Sequence, residues 1–141
     1  MRASAVKTAI VDAIEAITTL DSDAGGEAFV SVDKAGPEDY LPERGFAVEL
    51  VAIVPPSLMT HDNQIARYMI RVFYSAHPAV EDRISDDAER IVQKLYNLHT
   101  TASSGDLYAI ALDEAGIGPG PVENTYEATF PVAVTYRLTG V

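Results

Sequence analysis

The segment from Tyr126 to Leu138 constrains the fold more than any other part of the chain. Tyr126, Ala128, Phe130, Val132, Val134, Tyr136 and Leu138 occupy every second position, with Thr125, Glu127, Thr129, Pro131, Ala133, Thr135 and Arg137 between them. A period of two puts the first set on one face of a β-strand and the second on the other. The chain must therefore build a sheet with at least one face under an apolar layer. Fully extended, residues 124–138 would reach about 50 Å at roughly 3.3 Å per residue. A compact domain of 141 residues has a radius of gyration of only about 14 Å. The strand is expected to bend or to project, with Pro131, which has no N–H to offer a ladder, at a bulge or an edge.

Ile65 to Tyr74 alternates as strictly. Ala66, Tyr68, Ile70, Val72 and Tyr74 share one face, and Ile65, Arg67, Met69, Arg71 and Phe73 the other. Two helical patterns can cover such faces. Val6, Ile10, Ile14 and Ile17 recur at spacings of 4, 4 and 3, which predicts a helix over 4–20 with Ser4 as its N-cap, stopped by the turn residues at 21–26. Ile84, Ala88, Ile91, Leu95 and Leu98 follow spacings of 4, 3, 4 and 3. The acids Glu81, Asp82, Asp86 and Asp87 at the start of this second helix, and Lys94 and His99 at its end, complement its dipole. Shorter strands are expected at 28–33, 46–54 and 107–112. The middle one is nearly all apolar, as in a strand covered on both faces or buried at an interface, and Pro55-Pro56 ends it. Residues 34–45 and 113–124 are rich in proline and glycine and are expected to be loops, the second long and mobile. The order α-β-β-β-α-β-β predicts a single α+β domain over residues 1–141. Its sheet would be mostly antiparallel or mixed, of about five strands, with two amphipathic helices on one face.

Charge and composition narrow the partners. Ten Lys and Arg against 21 Asp and Glu give a formal charge of 10 − 21 = −11. That opposes phosphate binding, because each neutralised phosphate needs a cation, and the basic residues are scattered. Neither specific nucleic-acid binding nor an anionic membrane surface is expected. No apolar run is long enough to span a bilayer, and Lys7, Asp12 and Glu15 interrupt any secretory signal. With no cysteine, disulfides, thiolate metal sites and thiol catalysis are excluded; a chain made and used in a reducing cytosol fits.

The search for catalytic chemistry is negative. Gly116, Gly118 and Gly120 lie in a proline-rich segment without the strand-to-helix setting or the lysine of a phosphate loop. His61, His77 and His99 stand in loops or at a helix end, where a capping imidazole is ordinary. The acids at 81–89 diverge around a helix start and read as a solvated face rather than a metal site. No enzyme activity, cofactor or metal is expected. Arg67 and Arg71 are more informative. They share a strand face about 13 Å apart with Met69 between them, and they suit carboxylates supplied by another chain as well as surface ion pairs of little energetic weight. With the apolar strand residues Phe46, Val48 and Leu50 they form the expected subunit interface. Tyr40, Leu41, Leu58, Met59 and Ile117 are apolar residues in loops, where docking to partners is expected.

The opening helix Ala5-Val-Lys-Thr-Ala-Ile-Val-Asp-Ala-Ile14, the strand Arg67-Tyr-Met-Ile-Arg-Val-Phe-Tyr74, the helix around Asp87-Ala-Glu-Arg-Ile-Val-Gln-Lys-Leu95 and the final strand Tyr126 to Leu138 resemble, in order and pattern, the tail terminator proteins of long-tailed bacteriophages. The resemblance covers nearly the whole chain and rests on element order rather than a signature motif. It implies a structural virion protein, assembled in the host cytoplasm into a hexameric ring. Such a ring caps the tail tube, stops its polymerisation and offers the head-completion protein a joining surface. DNA passes through the ring, and an acidic wall would not retain it. Two other expectations stand beside this one: a head-completion or neck protein of the same connector, and a small cytosolic α+β ligand-binding module of the host.

Overall fold

The computed structural model of the chain describes residues 1–18, 28–32, 42–56, 63–98 and 107–138. Among them are two helices, α1 (Ala3–Glu15) and α2 (Val80–Tyr96), and six strands: β1 (Val30–Ser31), β2 (Gly45–Val54), β3 (Asn63–Ser75), β4 (Leu107–Leu112), β5 (Gly116–Pro119) and β6 (Thr125–Arg137). The two segments of strict alternation form the spine. β3 and β6 pair antiparallel over all 13 residues, from Asn63 opposite Arg137 to Ser75 opposite Thr125, without a register shift. β2 lies antiparallel along the other side of β3, and β1 adds a short parallel pairing to the start of β2. The strand order is β1-β2-β3-β6-β4, with β5 also on β6. This is the expected α+β domain with a mixed, open sheet, one strand richer than the sequence pattern suggests.

Both helices lie on one face of the sheet. The Tyr68 hydroxyl on β3 donates to the Ala3 carbonyl of α1 at 2.6 Å. From the same strand face, the Tyr74 hydroxyl donates to Asp87 of α2 at 2.9 Å. Val6, Ile10 and Ile14 of α1 and Ile84, Ile91 and Leu95 of α2 are buried against Phe46, Val48, Ala66, Ile70, Val72, Phe130, Val132 and Val134. Burying a side chain of this size contributes about 1.5–3 kcal/mol, so this layer is the principal source of stability. Arg2, with extended backbone, is the N-cap of α1 and makes no side-chain capping bond. Ser4 is therefore inside the first turn rather than at the cap, and its carbonyl accepts from the Thr8 hydroxyl at 3.0 Å. The helix ends at Glu15, short of the expected residue 20, while Ile17 beyond it still reaches the core.

Three expectations for the strands are corrected. Residues 113–124 are not simply a loop: Gly116–Pro119 pairs with β6, Ile117 opposite Ala128. The turn is closed by the Gly120 N–H donating to the Thr125 carbonyl at 2.9 Å, with Asn124 at φ 61°. Asparagine tolerates that left-handed conformation. Pro131 marks neither an edge strand nor a bulge in the β3–β6 ladder. It falls at the seam where β6 exchanges β5 for β4, since β5 pairs with residues 126–129 and β4 with 132–136. Its carbonyl accepts from Asp113 in the connection at 3.1 Å. The N and the C=O of a residue in an antiparallel strand point to the same side, so the missing N–H faces a place where no continuous ladder runs. Lastly, β2 is not covered throughout. Gly45, Phe46 and Val48 are buried, whereas Leu50, Val51, Ile53 and Val54 are exposed.

Candidate functional site

The exposed half of β2 is the first element of the site. β1 pairs only with Gly45 and Phe46, so among the described residues the outer edge of β2 beyond them has no strand partner. On that edge Leu50 is 50%, Val51 62%, Ile53 45% and Val54 39% exposed. Val51 is the extra residue of a bulge, because Leu50 stands opposite Tyr68 and Ala52 opposite Arg67. Unpaired N–H and C=O groups beside apolar side chains form a template for another strand. At the opposite side of the sheet β4 pairs with β6 alone among the described strands. Ala109 and Ala111 are exposed there, and Ile110 and Leu112 half-buried.

The second element is the sheet face away from the helices. Arg71 is held within its own chain. Its Nε donates to Glu127, its Nη2 to the other Glu127 oxygen at 3.1 Å and its Nη1 to Glu49 at 3.1 Å. The guanidinium carbon lies 5.5 Å from the centre of the Phe73 ring. The hydrogen bonds that Arg71 donates to Glu127, and then to Glu49, hold the guanidinium even more firmly protonated than usual. Arg67, two positions along the same face beyond Met69, is exposed and has no ion-pair partner among the described residues. It lines a shallow groove of about 420 Å³ with Val51, Met69, Asp113, Pro131 and Ala133.

The structure thus divides the expected interface residues. Leu50, Arg67 and Met69 lie at or near the surface around the outer half of β2. Arg71 is on the same face with its fork already occupied. Phe46 and Val48 cannot take part in a subunit contact as expected: they point to the helices and are 0% and 5% exposed, because the start of β2 is the part the core needs. Ile117 is on β5, 61% exposed, beside a groove of about 390 Å³ with Pro119, Asn124 and Tyr126. Tyr40, Leu41, Leu58 and Met59, like His61 and His99, lie outside the described residues.

One cluster is absent from the sequence reading. Arg44, in the turn before β2, adopts φ 60° and sends its side chain inward. Its Nε donates to Asp87 Oδ2 at 2.7 Å and its Nη2 to Oδ1 at 3.0 Å, a two-pronged pair that is 2% and 1% exposed. The Tyr74 hydroxyl donates to the same Oδ2. Burial, and then the Asp87 charge, pushes the Tyr74 phenol far above its ordinary range. The acid pattern at 81–89 predicts a solvated Asp87, but the residue is buried with Val80, Ile84, Ile91 and Leu95 on the inner stripe of α2. Its place three residues after Ile84 and four before Ile91 was the available signal. Next to it Glu43 accepts from the Ser75 N–H at 2.7 Å, the Ser75 hydroxyl at 2.5 Å and Arg83 Nη1 at 3.0 Å. Burial alone would raise the Glu43 carboxyl, but the bonds from Ser75 and Arg83 outweigh it and hold the carboxyl below its ordinary range. His77 Nε2 stays 3.8 Å from Glu43. Sealed from solvent, the Arg44–Asp87–Tyr74 cluster can clamp the turn before β2 to α2 and β3 but cannot touch a dissolved substrate.

Among the described residues no three His, Cys, Asp or Glu side chains gather as a metal-holding group, and no helix is long and apolar enough to cross a membrane. No protein-family model and no curated protein sequence matches the chain.

Proposed function

We propose that the chain is a structural subunit that works by assembling with copies of itself, as the phage tail terminators it resembles do: a ring that caps the tail tube, stops its growth and presents a surface to the head-completion protein. One observation carries the self-association. The outer half of β2 exposes four large apolar side chains along an edge that has no partner among the described residues, and an apolar edge of this kind is a liability unless something covers it. The terminator role comes from the order of helices and strands. The charge of −11 suits a wall along which DNA slides without sticking. The test is tube growth. Purified protein added to polymerising tail tube protein of the same phage is expected to cap the tubes and shorten them in a dose-dependent way; tubes of unchanged length refute the terminator role. A neck protein would bind head connectors and leave tube length untouched.

A second reading, a small ligand-binding module, would place its site in the groove beside Arg67. It brings only two charged side chains, Arg67 and Asp113, to an otherwise apolar surface, whereas ligand sites converge several polar groups in a deeper cavity. Saturable binding of a small carboxylate by a stable monomer would establish that reading instead.

A further inference from the structure

We propose that copies of the chain join head to tail through their sheet edges, the outer edge of β4 in one subunit pairing antiparallel with the outer half of β2 in the next. The inference rests on the self-association proposed above and assigns its interface.

Three features of the sheet carry it. The first is direction. β2 is antiparallel to β3, β3 to β6 and β6 to β4, so β4 runs opposite to β2. A neighbour generated by rotation about an axis along the strands keeps its strand directions. Its β2 therefore meets β4 antiparallel.

The second feature is height. Following the ladders across four strands, Leu50, Tyr68, Val132 and Leu112 form one row. Ala52, Arg67, Ala133 and Ala111 form the next, then Ile53, Ala66, Val134 and Ile110, and finally Val54, Ile65, Thr135 and Ala109. The two edges, which have no further strand partner among the described residues, thus lie at the same level on opposite sides of the sheet. Head-to-tail pairing along these rows is a heterologous contact, the kind that forms a ring where the rotation between neighbours closes.

The third feature is the match of faces. On the helix side the rows bring Leu50 to Leu112 of the next copy and Ile53 to Ile110. On the other side Ala52 meets Ala111 and Val54 meets Ala109. Large apolar residues would cover one another on the helix side, while small residues let the backbones approach on the open side. The bulged Val51 stays outside this register. The alternative, two β2 edges paired about a two-fold axis, leaves the β4 edge of both copies outside the contact and stops at a dimer, whereas the head-to-tail contact can be repeated around a ring.

The chain has no cysteine, so introduced thiols report without background. Opposed Cα atoms in an antiparallel pair lie about 4.5–5.5 Å apart, inside the range a disulfide bridges. Ala52→Cys and Ala111→Cys proteins of distinguishable mass are mixed, oxidised mildly and examined by denaturing and native mass spectrometry. The expected result is a covalent dimer with one of each chain, and a ladder of cross-linked species from the double variant. Val54→Cys with Ala109→Cys repeats the test one row away should the first pair perturb folding. Dimers of Ala52→Cys with itself would overturn the head-to-tail order. Native oligomers without a mixed disulfide at either row would overturn the edge pairing and leave self-association standing. Monomers throughout would overturn both.

Discussion

Replacing Asp87 by alanine is predicted to be the most damaging single change outside the apolar core. The substitution removes the two-pronged partner of an Arg44 side chain that is 2% exposed, and the acceptor of the Tyr74 hydroxyl. Breaking a buried ion pair from one side costs about 3–5 kcal/mol, because the remaining charge keeps its desolvation penalty without its counter-charge. For 141 residues the entropy of unfolding is about 0.3 kcal/mol/K, so that cost corresponds to a fall in Tm of roughly 10–17 °C. The assay is thermal unfolding followed by far-UV circular dichroism, for Asp87→Ala and for the triple replacement Arg44→Met, Asp87→Leu, Tyr74→Phe. The triple variant removes all three polar side chains of the cluster together, leaving neither the Arg44 nor the Asp87 charge buried, so it is expected to lose less stability than Asp87→Ala alone. A fall below about 3 °C for Asp87→Ala, typical of an exposed pair, would refute the account of this cluster. A triple variant less stable than the single one would also refute it.

Other changes separate assembly from folding. Leu50→Lys with Ile53→Lys places charge on the exposed edge; oligomers are expected to dissociate in native mass spectrometry, with Tm unchanged or raised at low protein concentration. Arg67→Glu is expected to leave the subunit within about 0.5 kcal/mol of wild type and to weaken assembly on size exclusion; an intact assembly would remove Arg67 from the interface. Glu43 tests the charge network by pH. Its folded carboxyl lies below the ordinary 4.5, so its contribution is complete above that value and is lost as pH falls through the depressed one. The Tm gap between wild type and Glu43→Gln is therefore expected to hold steady from neutral pH to about pH 5 and to close in more acid solution. A gap that widens on acidification would contradict the assigned bonds to Ser75 and Arg83.

Side-chain periodicity made most of the architecture legible. The alternation of β3 and β6 and the stripes of α1 and α2 specify which face each element buries, and the structure uses those faces. Periodicity says nothing about a strand held by its backbone alone. Gly-Ile-Gly-Pro at 116–119 has no alternating pattern, and it is a strand because β6 offers it a ladder. Pro131 misled for a related reason, since the site that spares its N–H is a seam between two partners on one side of β6. In the candidate site, the apolar run of β2 was visible from sequence, but not the point at which it leaves the core. That point depends on β1 stopping after two residues and on the helices covering Phe46 and Val48. Arg44 gave no signal at all. A charged residue in a Pro-Glu-Arg-Gly turn looks solvated until a helix from farther along the chain sets Asp87 beside it.

The central claim is that this chain works as a closed assembly of identical subunits. Native mass spectrometry of the wild-type protein at low and high micromolar concentration tests it most directly. The account predicts a discrete oligomer whose share grows with concentration, a hexamer if the terminator resemblance extends to ring size. A strict monomer at both concentrations would contradict it.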